Sequence, residues 1–113
     1  MSDLLKKNCV PCEGGVIPFD ILEIHKYQKK VDGWSLNKSE KIFFLEKDFK
    51  FKNFVESQDF VNEVGKISEE EGHHSDIIFG WGYAQIKITT HAIKGLSEND
   101  FILAAKIDKI LNV

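Results

Sequence analysis

Two β-rich blocks, each broken by a turn, flank a long stretch of helical periodicity, and this alternation limits the folds open to the chain. The first block predicts strands over 33–37 and 41–49 around the polar turn Lys38-Ser39-Glu40. The second predicts strands over 75–79 and 83–90 around Gly80-Trp81-Gly82. Between them Phe51, Phe54, Val55, Val61, Val64 and Ile67 form one apolar stripe, widened by Phe60, which predicts a helix over 51–71. Gly72 closes it after Glu69-Glu70-Glu71. That acidic run opposes the negative end of the helix dipole. Either a solvated surface tolerates this small cost, or a carboxylate is wanted there.

Helices are also expected at both ends. Ile21, Leu22, Ile24, Tyr27 and Val31 recur at helical spacing and predict a helix over 19–31, stopped by Asp32-Gly33. Ser97 is placed as the N-cap of a last helix running to about Leu111, with Asp100 at its third position in a capping-box-like arrangement. Leu96 and Phe101 are spaced for a hydrophobic staple across that cap. Residues 1–18, with Pro11, Gly14, Gly15 and Pro18, read as an irregular lead-in. The order α-β-β-α-β-β-α predicts one α+β domain over 1–113: a single four-stranded antiparallel sheet with three helices packed on one face. The other face stays open, and an open face or outer edge strand on so small a domain invites dimerisation.

With 42% hydrophobic and 29% charged residues, a 113-residue chain can bury a core without disulfide or metal staples. Its apolar runs are too short to span a bilayer, and its N-terminus lacks the apolar core of a signal peptide, so a cytoplasmic location is expected. A net charge of −3 argues against a dedicated nucleic-acid binder. All 15 basic residues are lysine, so no guanidinium fork grips an anionic substrate. Cys9 and Cys12 form a CxxC pair near the terminus, outside a thioredoxin-like context and without a second pair. They read as structural or incidental.

Three of the four histidines, His73, His74 and His91, fall within nineteen residues. A hairpin centred near Gly82 would set His73 opposite His91, and His74 opposite Thr90, with Cβ atoms roughly 4.5–5.5 Å apart. A centre one residue earlier shifts this register but leaves His91 at the same end. His73 and His74 would face opposite ways in a regular strand and share a pocket only if the backbone bends, which Gly72 permits. Two imidazoles can supply both an acid and a base near neutral pH. No serine elbow, phosphate loop or dinucleotide glycine pattern competes with them. The bland alternatives are a surface His-His pair and a polar strand end at His91. Three histidines can also hold zinc, but the usual spacing and a fourth ligand are missing. His25 reads as surface or helix-packing, and Trp81 and Phe79 as core or hairpin packing, with a wall of the histidine pocket as the alternative for either.

The segment Glu69-Glu70-Glu71-Gly72-His73-His74-Ser75, then Thr89-Thr90-His91, then Gly95-Leu96-Ser97-Glu98-Asn99-Asp100-Phe101 resembles the signature of the pterin-4a-carbinolamine dehydratases. The family pattern is an acidic residue, three residues, a His-His pair, a third histidine after the hairpin and an aspartate shortly beyond. Residues 9–15, Cys-Val-Pro-Cys-Glu-Gly-Gly, are similar to the lead-in of bacterial members. The resemblance covers nearly the whole chain. It departs at Ser75, where proline is usual, which loosens the turn after the His pair but removes no chemical group.

The resemblance implies a four-stranded antiparallel sheet with three helices, assembled as a homodimer or homotetramer. It implies a hydro-lyase that dehydrates 4a-hydroxytetrahydropterin to quinonoid dihydropterin in tetrahydrobiopterin recycling, with no metal and no organic cofactor. The implied catalytic residues are His73, His74 and His91. His73 and His91 would be the acid–base pair, and His74 would mainly bind and orient the pterin. Substrate contacts would fall on Gly72, His73, His74, Thr89, Thr90, His91 and Ala92, with Glu69 and Asp100 supporting, although a cap role alone would account for Asp100. The competing function is a dimeric binding or regulatory module, since some animal relatives also serve as dimerisation cofactors of a homeodomain transcription factor. A third is action on another pterin, in folate or molybdopterin metabolism.

Overall fold

The computed structural model describes residues 2–9 and 17–111. The elements are α1 (Ser2–Leu5), α2 (Ile21–Gln28), β1 (Ser35–Ser39), β2 (Ile42–Lys50), α3 (Phe54–Glu71), β3 (Asp76–Gly80), β4 (Tyr83–Ile88), a 3-10 turn (His91–Ile93) and α4 (Glu98–Leu111). The α-β-β-α-β-β-α order is the one the patterning predicts. It is preceded by α1, a single turn inside the lead-in expected to be irregular. Leu4 explains that turn, because it is fully buried in the core. Cys12, Pro11, Gly14 and Gly15 lie outside the described residues.

The four strands form one wholly antiparallel sheet in the order β1-β2-β4-β3. Side chains alternate across it as the strand period requires. Leu45, Phe49, Ala84, Ile86 and Ile88 are buried on one face together with Phe60 and Val64 of α3 and Phe101, Leu103, Ala104 and Ile107 of α4. Asn37, Phe44, Lys87 and Asp76 lie on the opposite face. No helix among the described residues is long and apolar enough to cross a membrane.

Local chemistry moves several boundaries. The first hairpin turns at Glu40 and Lys41, both at positive φ (51° and 69°), so β1 extends two residues beyond its predicted end. These are the backbone signs of a two-residue hairpin turn matched to strand twist. The long helix starts at Phe54 because the Asn53 side chain accepts the Glu56 N–H at 2.9 Å, while the Glu56 carboxylate accepts the Lys52 N–H at 3.0 Å. The Asp20 side chain accepts the Glu23 N–H at 2.9 Å and trims α2 likewise.

The second hairpin turns at Trp81-Gly82, with Gly80 paired to Tyr83 and Asp76 to Lys87. The register is therefore one residue away from the one that would oppose His73 to His91 and His74 to Thr90. Moreover β3 begins only at Asp76 and β4 ends at Ile88, so none of the three histidines belongs to the ladder. Their convergence has a tertiary cause.

Candidate active site

Three termini meet at one end of the sheet: the C-terminus of α3, the loop after β4 and the N-terminus of α4. Gly72 ends α3 in the left-handed region at φ 65°, where glycine carries no Cβ penalty. The next residue is pinned to the helix, since the His73 N–H donates to the Ser68 carbonyl at 3.2 Å. This bend lets adjacent His73 and His74 line the same depression.

The loop after β4 is closed by two backbone hydrogen bonds between Thr90 and Gly95, at 2.9 and 3.4 Å. Thr89 Oγ1 ties it to the sheet by donating to the Phe43 carbonyl at 2.8 Å. The 3-10 turn carries His91 and Ala92 on the exposed tip of this loop. A depression of about 260 Å³ is lined by Gly72, His73, His74, Thr89, Thr90, His91 and Ala92, with Asn99 from α4. The structure thus brings together all seven expected contact residues. Asn99 was missed, and its position beside Asp100 in the motif is the only sequence signal that could have found it. Trp81 is 71% exposed at the hairpin tip and Phe79 packs on Phe54, so neither lines the depression. His25 is exposed on α2, as expected.

Asp100 has more partners than a cap requires. It is fully buried, and its Oδ2 accepts from the Ser97 N–H at 2.8 Å and from Thr90 Oγ1 at 2.7 Å. Its Oδ1 faces His73 Nε2 at 2.7 Å. The carboxylate accepts, so Nε2 carries the proton and donates. One aspartate therefore joins α4, the loop after β4 and the His pair. An expectation that stopped at the cap misses this, because His73 and Thr90 are distant in sequence.

The acidic run is also accounted for. Glu69 is hydrogen-bonded to His74 Nε2, both side chains being exposed, so the pair adds orientation more than stability. The Glu71 carboxylate accepts from the Cys9 N–H at 2.8 Å and from Lys106 Nζ at 2.5 Å. Burial alone would raise the Glu71 carboxyl, but the Lys106 and Cys9 hydrogen bonds override it and hold the group below its usual range. A carboxyl depressed in the folded state lends stability above its unfolded value near 4.5, and that stability is lost as pH falls through the folded value. Glu71→Gln is therefore expected to lower the melting temperature at neutral pH and to converge on wild type in acid. A melting series from about pH 7 to about pH 3 checks this, and parallel curves would refute it.

Burial, then the Glu71 charge, push the Cys9 thiol up to about 12. A thiol so protonated is not a redox nucleophile at neutral pH, which favours the structural reading of this residue. Ser75 stands where the resemblance leads one to expect proline. Its Oγ is buried and finds no hydrogen-bond partner among the described residues. Ser75→Ala is expected to be neutral or stabilising by up to about 1 kcal/mol in denaturant titration. Among the described residues no three His, Cys, Asp or Glu side chains are grouped as a metal-ligand set.

The fold and this end of the sheet together define a small α+β domain with a histidine-lined depression. The sequence model of the pterin 4 alpha carbinolamine dehydratase family matches residues 18–110. A homologue of that description from Rubrobacter xylanophilus is 46% identical over 110 residues, covering 97% of this chain and 100% of the relative. Another, from Halorhodospira halophila, is 47% identical over 107 residues, covering 95% and 96%. The crystal structure of a transcriptional coactivator/pterin dehydratase from Brucella melitensis superposes with a TM-score of 0.74, covering 82% of this chain and 97% of that one; at 24% identity this is a likeness of fold. The chain belongs to the pterin-4a-carbinolamine dehydratase family.

Proposed function

We propose that this chain dehydrates 4a-hydroxytetrahydropterin to the quinonoid dihydropterin, with His73 and His91 exchanging the protons. The observation that carries the reading is His73, whose Nε2 is held by the buried Asp100 beside the depression that His91 also lines. With the Nε2 proton engaged, Nδ1 is the His73 nitrogen left for proton exchange. Loss of water needs one proton delivered to the departing C4a hydroxyl and one removed from N5. The C4a–O bond breaks, the C4a–N5 double bond forms, and the two proton transfers cancel. One imidazole donates as the other accepts, so the site is ready for the next turnover once they re-equilibrate with solvent.

His74, oriented by Glu69, and the backbone of Gly72, Thr89, Thr90 and Ala92 bind the edge of a neutral pterin, which suits a chain without arginine. Assembly as a homodimer or homotetramer fits the exposed Ile78, Trp81 and Tyr83 around the second hairpin, where edge strand β3 runs.

The test is a turnover assay in which phenylalanine hydroxylase generates the 4a-hydroxy substrate in situ. Purified protein is expected to accelerate its dehydration equally with and without EDTA. No acceleration over the spontaneous reaction would sink the reading and favour a different pterin or a binding role.

A further inference from the structure

The proton chemistry uses neither Glu71, at the end of the acidic run, nor Cys9 in the lead-in. Yet the two are hydrogen-bonded to each other beside the His73–Asp100 pair. We infer that Glu71 is a positioning residue for His73: it holds the end of α3 to the lead-in and to α4, so that the imidazole stays seated on Asp100. Its effect on rate rests on the dehydratase reading above.

The contacts close a ring. Glu71 is the last residue of α3, two positions before His73. Its side chain is only 10% exposed, and Oε1 accepts the Cys9 N–H at 2.8 Å. The Cys9 thiol in turn donates to the Asn99 carbonyl at 3.5 Å, and the next residue along α4 is Asp100. Asp100 Oδ1 accepts from His73 Nε2 at 2.7 Å, and Gly72 leads the chain back to Glu71. A thiol held up at about 12 keeps the proton that its link needs. Lys106 braces the ring from further along α4, where Nζ donates to Glu71 Oε2 at 2.5 Å and to Asn8 Oδ1 at 3.2 Å. The lead-in is itself anchored, since Leu4 is fully buried and Lys7 pairs with Glu98 at 2.6 Å. Packing at the turn does not do this work. Among the described residues, nothing lies within 4 Å of where a Gly72 Cβ would sit. The bend that aims His73 is therefore fixed by the hydrogen bonds on either side of the glycine. Misplacing a reacting group by about 1 Å can cost about 100-fold in rate.

The experiment measures steady-state dehydration, melting and the His73 tautomer, the last by proton–nitrogen correlation NMR on substrate-free protein. Wild type is expected to show the His73 proton on Nε2 alone. Glu71→Ala removes the acceptor for the Cys9 N–H, and Cys9→Ala removes the donor to Asn99. Each is expected to lower kcat about tenfold with KM within about twofold, and to give a mixture of His73 tautomers. Glu71→Gln keeps an oxygen for the Cys9 N–H. Its kcat is expected to return to within about threefold of wild type although melting stays lowered. Trp34→Phe controls for stability alone. Trp34 Nε1 donates to Asp108 at 3.0 Å further along α4, so its loss is expected to lower melting and leave kcat and the tautomer unchanged. Glu71→Ala and Cys9→Ala proteins that fold and keep wild-type kcat and a single tautomer would overturn the inference. So would losses in kcat that follow the melting temperature across all four variants. No turnover by wild type would overturn the dehydratase reading, and the tautomer, read without substrate, would still decide the positioning.

Discussion

His73→Ala is expected to slow the enzymatic dehydration by about two to four orders of magnitude, the usual worth of a positioned general acid or base. His91→Ala is expected to cost less, about one to two orders, because the two imidazoles sit differently. The His73 side chain is only 12% exposed and is held at one nitrogen by a buried carboxylate. His91 is exposed on the tip of a loop, where water can stand in for a missing proton carrier. Replacing His73 also leaves Asp100 Oδ1 without its partner, so part of any loss could be structural. His73→Gln separates the two effects. Its side-chain amide can still donate to Asp100 but exchanges no proton near neutral pH. Steady-state rates of the three variants beside their melting curves check the prediction. A His73→Gln variant that folds normally and keeps wild-type kcat would remove His73 from the chemistry.

The second large effect is expected at Asp100. It is fully buried and accepts from His73, Thr90 and Ser97, so alanine leaves three donors without their acceptor. A loss of about 3–5 kcal/mol is expected, a large share of the roughly 5–15 kcal/mol that holds such a domain together. Asp100→Asn keeps one carbonyl acceptor but sets an amide N–H₂ against a donor, so a smaller loss of about 1–3 kcal/mol is expected. The functional prediction belongs to the asparagine variant. If the dehydratase reading holds, Asp100 acts through His73 as a positioning residue, and kcat is expected to fall about 10- to 100-fold with KM little changed. A cap alone would affect melting and leave the KM-against-kcat split untouched. Urea denaturation with steady-state kinetics on the same preparations distinguishes the two roles.

Much of this protein was legible one segment at a time. The stripe from Phe54 to Ile67, the alternation through β2 and β4, and the Ser97–Asp100 cap are local patterns, and each depends on residues close in sequence. They determine the element order and which face of each element is apolar. The resemblance carried by the Glu69–His74, Thr89–His91 and Gly95–Phe101 segments pointed to residues that line the depression. Boundaries slipped where side chains took over the backbone, at Asn53, at Asp20 and at the Glu40-Lys41 turn. The Leu4 turn escaped notice because one buried leucine makes no periodicity.

The route by which the histidines meet was not legible. Ladder opposition depends on register, and a hairpin turn placed one residue differently changes every pair. His73, His74 and His91 instead lie beyond the ends of the strands, and a left-handed glycine, a loop closed between Thr90 and Gly95 and the carboxylate of Asp100 bring them to one depression. By itself the sequence determined the elements, their faces and the chemical groups on offer, since these follow from spacing along the chain. Only the tertiary structure decided that Asp100 is a hub as well as a cap, and that the depression adjoins a second groove. The contacts of residue 100 with 73 and 90 exist only once the sheet and helices have packed.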